Sequence, residues 1–177
     1  MDGDVLSRQL TAAGGAALPA IRAAFGDGVF QPDGTLHRRA LGNVVFSDPS
    51  ARAKLDGIMQ PMLRQMILSQ IASARQRNLP TCVLDMPLLY EQHLETLCDT
   101  VWCVALPEAV QLERLMQRDG LTQQEALARM GSQMPVSEKA ARAQRVLDNS
   151  GTPEELRELT RALYAQEIAL QEARQTE

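Results

Sequence analysis

Residues 100–120 read TVWCVALPEAVQLERLMQRDG, a stretch that sets the architecture. Its first six residues form an apolar, β-rich run without polar alternation, as in a strand covered on both faces. Pro107 suits a helix start, residues 108–118 carry the helix, and Gly120 stops it. Further strands are expected at residues 81–84 (TCVL), after Asn78-Leu79-Pro80, and at residues 145–147 (RVL). Strands separated by helices imply parallel pairing through right-handed crossovers, hence a layered α/β domain.

The remaining helices follow from caps and periodicity. Residues 17–25 read as a helix with Pro19 in its first turn and Gly26 as its stop, followed by the loop GDGVFQPDG. Ser47-Asp48-Pro49 opens a longer one, in which Leu55, Ile58, Met59, Met62, Leu63, Met66, Ile67 and Ile71 recur at three and four and must face a core. Pro61 should kink or divide it. Thr122-Gln123-Gln124-Glu125 is a capping box whose helix is bounded by Gly131 and Pro135. Ser137 starts a brief helical piece, and Thr152-Pro153-Glu154-Glu155 opens a C-terminal helix through about Ala173.

At 177 residues, 45% apolar and 23% charged, the chain is expected to be a single globular domain over residues 1–177, with no need of disulfides. Net charge is −4, and Lys54 and Lys139 are the only lysines, so duplex DNA is disfavoured while converging arginines favour phosphate or carboxylate. Cys82, Cys98 and Cys103 have no ligand spacing and read as reduced core thiols. No run of about 18 apolar residues occurs, and the N-terminus is acidic. A cytoplasmic protein without membrane partners is expected.

Three constellations could carry chemistry, the first of them at the ends of two strands. Asp85 follows the 81–84 strand, where a carboxylate could meet a hydrated magnesium ion or a phosphate, or could be a turn or cap residue. Asp148-Asn149-Ser150-Gly151 follows the 145–147 strand. Arg114, Arg118 and Arg129 flank a helical hairpin that could close over phosphates or simply be solvated. Asp2-Gly3-Asp4, with Arg8 behind, could aim a base at a hydroxyl while the other carboxylate caps or meets a cation; it could equally be a frayed end. His37 and His93 belong to no Ser/His/Asp or Cys/His set.

In order and spacing, these pieces resemble the dephospho-CoA kinase family of P-loop kinases over nearly the whole chain. Asp2-Gly3-Asp4 with Arg8 is similar to the family's DxD and arginine. Phe25-Gly26, the segment from Asp33-Gly34 through Arg38-Arg39-Ala40-Leu41, and Phe46 also correspond. Asp85-Met86-Pro87-Leu88-Leu89-Tyr90-Glu91 is similar to its PLLFE segment, Gln117-Arg118-Asp119 to the start of the lid, Arg129 with Gln133 to the lid return, and Val146-Leu147-Asp148-Asn149 with Gly151 to VIDNxG.

The resemblance implies a three-layer P-loop kinase-type parallel sheet, N-terminally incomplete, with a helical lid over roughly residues 108–145. It implies transfer of the ATP γ-phosphate to the ribose 3′-hydroxyl of dephospho-CoA, with Mg²⁺. Asp4 would be the base, Asp2, Arg8, Arg38, Pro87 and Leu88 would contact the acceptor, Arg118 and Arg129 would approach the moving phosphate, and Asn149 would lie near adenine. Asp85 would hold magnesium through bound water. A noncatalytic CoA-precursor-binding remnant and a kinase for another nucleotide-like acceptor are the alternatives.

Two departures stand out. Gln60-Pro61 occupies the place of the family's His-Pro, and no G-x-x-x-x-G-K-[ST] occurs: Lys54 follows Ala53, and Lys139 follows Glu138. In the family, the first strand, phosphate loop and first helix precede DxD. The polypeptide alone is therefore expected to fold poorly and to show trace kinase activity.

Overall fold

Asp2 starts the first helix. In the computed structural model, which describes residues 1–175, its Oδ1 accepts from Val5 N at 3.0 Å, and α1 (Gly3–Leu10) follows. Such a cap satisfies one of the donors that every helix start leaves unpaired. Leu6 and Leu10, one turn apart, are buried, so the acidic terminus is an anchored helix and not a frayed end. The chain divides into two compact units, Met1–Pro87 and Leu88–Glu177.

In the first unit, α2 (Leu18–Phe25) carries Pro19 in its first turn and ends at Gly26, whose φ of +75° glycine tolerates without strain. Phe30 and Leu36 pair across a tight turn before α3 (Arg38–Ser47), a helix not foreseen in the sequence. Asp48 caps α4 (Pro49–Gln76) by accepting from Ser50 N at 2.8 Å, and α1, α2 and α3 all pack on α4. Leu63, Ile67, Ala51 and Ala74 are its buried positions, whereas Met59, Met62 and Met66 are only half-buried.

Pro61 does not divide α4. Proline cannot donate to the carbonyl of Gly57, but both residues are exposed, so water can take that acceptor, and glycine leaves room for the ring. The chain bends its expectation more at residues 81–84. They form no ladder, and Cys82 and Val83 are exposed, so neither a doubly covered strand nor a core thiol is found there. They lead only into an isolated parallel bridge between Asp85 and Asp2.

The second unit holds the parallel sheet, with β1 (Trp102–Ala105) beside β2 (Arg145–Asp148) and Trp102 opposite Arg145. The crossover between them is helical: α5 (Glu108–Asp119), α6 (Gln123–Met130) and α7 (Val136–Arg142). Gly120 ends α5 in the left-handed conformation, and Thr122 with Glu125 forms the expected capping box of α6. After β2, α8 (Pro153–Gln175) packs on that strand. Leu147, Val101, Leu94, Tyr90 and Ala126 are buried here. Among the described residues, no helix is long and apolar enough to cross a membrane.

Candidate active site

Residues 1–3 and 83–85 run side by side. Asp85 N donates to Met1 O, and Gly3 N donates to Asp85 O, both at 2.8 Å. Glycine eases the approach: a Cβ at position 3 would require the Met86 thioether to move aside and would stand 3.2 Å from Asp85 O. Backbone pairing thereby brings Asp2 and Asp85 opposite each other, with Asp4 in the first turn of α1. Asp2 is used as the cap. Asp4 and Asp85 are exposed, and their carboxylates accept no hydrogen bond from other described residues.

Two guanidinium groups belong to the same neighbourhood. Arg8 follows Asp4 by four residues on α1, and Arg38 Nη2 donates to Thr11 O at 3.4 Å, just past that helix's end. One short helix thus relates a free carboxylate to two exposed arginines. Nearby in sequence, Asp33 Oδ1 accepts from Thr35 Oγ1 at 2.6 Å and Thr35 N at 2.9 Å, which holds that carboxyl below its ordinary range. Pro87 is exposed and Leu88 half-buried. Among the described residues, no three His, Cys, Asp or Glu side chains could together hold a metal ion. What fits Asp85 is a magnesium ion that keeps most of its waters, since that ion commonly uses one or two carboxylates plus substrate phosphates.

The second unit gathers the hairpin arginines around one acid. Asp119 accepts from Arg118 Nε at 2.8 Å and Nη2 at 3.0 Å, and from Arg129 Nη1 at 2.6 Å across the α5–α6 turn. The Arg118 bonds, followed by the Arg129 charge, hold the Asp119 carboxyl below its usual range, and Asp119 pushes the Arg118 guanidinium up. A single carboxylate keeps two like charges together. Each arginine still has donors facing solvent, their side chains being 69% and 56% exposed. Arg114, one turn before Arg118, turns elsewhere and donates to the carbonyls of Asn149, Ser150 and Gly151.

Sequence reasoning passed over Glu91 and Lys139 as a pair. Lys139 Nζ lies 2.8 Å from Glu91 Oε1, which also accepts from Met134 N at 2.9 Å, with the side chains only 13% and 24% exposed. Arg142 stacks 4.4 Å over the Tyr90 ring and lies 3.6 Å from Glu95. Burial opposes the Glu91 charge, yet the Lys139 and Met134 bonds outweigh it and leave the carboxyl below its ordinary range. A depressed carboxyl stabilises the fold above its unfolded pKa, and that contribution fades as pH falls through the folded value. Glu91→Gln is therefore expected to cost about 1–2 kcal/mol at neutral pH, with the gap to wild type closing in acid below about pH 4. Urea titrations at pH 7 and 3.5 check this, and an equal gap at both would contradict it. No sequence spacing announces a pair 48 residues apart; only the acid of the PLLYE segment hinted at it.

Comparison with known proteins bears on all of these residues. A family model described as dephospho-CoA kinase matches residues 1–155. The dephospho-CoA kinase of Geobacter sulfurreducens is 41% identical over 165 residues, which cover 93% of this chain and 84% of that one. A crystal structure of a Thermus thermophilus protein superposes with a TM-score of 0.73 at 31% identity, covering 94% of this chain and 83% of that chain. The dephospho-CoA kinase of Campylobacter jejuni shares the fold, with a TM-score of 0.70 at 23% identity and coverage of 96% and 84%.

Proposed function

The chain belongs to the dephospho-CoA kinase family, and from that premise we propose that it transfers the γ-phosphate of ATP to the ribose 3′-hydroxyl of dephospho-CoA, completing coenzyme A. The observation that carries the residue assignments is the free Asp4 carboxylate on α1, beside the Asp2–Asp85 bridge and one turn from Arg8. Asp4 accepts the proton of the attacking hydroxyl, a task that calls first for hydrogen-bond reach. Arg8 and Arg38 seat the anionic groups of the acceptor, and Asp2, Pro87 and Leu88 lie along it. Asp2 does so while capping α1, so its role is to fix where Asp4 points.

Phosphoryl transfer calls for positioning and charge neutralisation. Arg118 and Arg129 supply donors to the moving phosphoryl group from a helical lid of roughly residues 108–145. Asn149, beyond the carboxyl end of β2, meets the adenine, where ligands of parallel sheets bind. Asp85 would hold magnesium through the ion's bound waters, and the ion would supply positive charge to the phosphates of ATP. Residues 1–177 act as one catalytic domain in this reading, and the free thiols suit the reducing cytoplasm.

The phosphate-cradling glycine loop is not among these 177 residues, and the two lysines are engaged in structure: Lys54 Nζ donates to Ala24 O, and Lys139 pairs with Glu91. The polypeptide alone should therefore turn over only at trace level. Fusing the family's strand, phosphate loop and helix ahead of Met1 should raise kcat into the range of about 1–100 per second with dephospho-CoA as acceptor. An ordinary rate from the unfused chain would refute the trace-activity claim. A folded fusion that binds both substrates without turnover would refute the kinase reading.

A further inference from the structure

The loop after β2 is pinned on every side. Asn149 N donates to Ala105 O at 2.7 Å, Ser150 N to Asp148 Oδ1 at 2.8 Å, and Thr152 N to Glu155 Oε2 at 2.7 Å. Its carbonyls are collected by one side chain: Arg114 Nη1 donates to Asn149 O at 2.7 Å, and Nη2 to Ser150 O and Gly151 O, each at 3.3 Å. Three successive carbonyls on an exposed loop would ordinarily be left to water, so a guanidinium spanning all three fixes the peptide planes as water does not. The Asn149 carboxamide, half-buried, is the group this scaffold leaves without a partner among the described residues.

We propose that Arg114 is a positioning residue for base selection: by gripping the 149–151 carbonyls it fixes the Asn149 carboxamide in one orientation, so that the loop prefers adenine to guanine. A carboxamide offers one donor and one acceptor side by side, which in one orientation match the amino-and-ring-nitrogen edge of adenine and, turned over, match the carbonyl-and-ring-NH edge of guanine. A loosely held carboxamide would turn to suit either base. Arg114 touches neither substrate nor reacting phosphate, and the inference rests on the assignment of Asn149 to the adenine.

The test uses the chain carrying the family's phosphate loop, isotopically labelled, titrated with ADP and separately with GDP. Wild type should shift the Asn149 side-chain amide resonance with ADP and bind ADP more tightly than GDP. Arg114→Gln should lower that ADP:GDP preference about tenfold, and Arg114→Lys, which can reach one carbonyl but not three, should fall between. In an Asn149→Ala background, Arg114→Gln should lower the preference no further. A folded Arg114→Gln or Arg114→Lys chain with the wild-type preference would overturn the inference, as would an added loss in the Asn149→Ala background. Should the Asn149 amide stay unmoved by ADP in wild type, the adenine assignment itself falls, and the inference with it. Comparing thermal midpoints separates the selectivity effect from simple loosening, because a purely structural arginine would weaken both nucleotides alike.

Discussion

Asp4→Asn, in a chain carrying the family's phosphate loop, is expected to lower kcat by about 10²–10⁴ while leaving ATP affinity within about twofold. The carboxamide has the size of the carboxylate and can accept a hydrogen bond, but it cannot take the proton released as the ribose hydroxyl attacks. Because Asp4 accepts no hydrogen bond from other described residues, removing its charge breaks no contact, and α1 keeps its cap at Asp2. Asp56→Asn, at an exposed aspartate of α4 outside the proposed site, makes the matching control and should leave kcat nearly unchanged. Steady-state rates with both substrates varied distinguish the two. If Asp4→Asn kept its kcat, the base would have to be sought at Asp85 or in solvent.

Much of this chain was legible because its signals are local. The capping box at Thr122 and Glu125, the glycine stop at Gly120, the apolar runs of β1 and β2, and the spacing along α4 each act within a few residues, and each is present. What failed to show depends on distant partners. The 81–84 run has the composition of a buried strand, but apolar composition cannot specify a partner, and residues 1–3 are what it meets. α1 escaped notice since eight residues carry only Leu6 and Leu10 as a buried stripe, too short a pattern to separate from an acidic tail.

The site divides along the same line. Asp119 next to Arg118 is readable as a local ion pair, and its bond to Arg129 needs only the fold of a helical hairpin. Arg114 also stood out as one of the hairpin arginines, yet its partners are main-chain carbonyls 35 to 37 positions away. Backbone acceptors have no residue type, so no sequence pattern can point to them. Glu91 and Lys139 have residue types, but complementary charge at that separation is too common in a chain with 22 acidic and 18 basic residues to single out one pair.

Arg118→Lys should reduce kcat by about 10²–10³ in the phosphate-loop-bearing chain, although the formal charge is unchanged. The wild-type guanidinium can do two things at once: Nε and Nη2 bond Asp119, while Nη1 remains for a phosphoryl oxygen. An ammonium group on a shorter reach must choose. Bonded to Asp119 it is withdrawn from the phosphate, and bonded to the phosphate it releases Asp119, which then holds Arg129 alone and draws it away from the reacting group. Exposed ion pairs add little to stability, so the substitution should leave the folded state intact and place the loss in the chemical step. Lysine stays protonated throughout the neutral range, and lowering the pH therefore should not restore the rate. A variant with nearly full kcat would mean that a positive charge at this position suffices, and the forked donor geometry set by Asp119 would lose its claim to a role in the transition state.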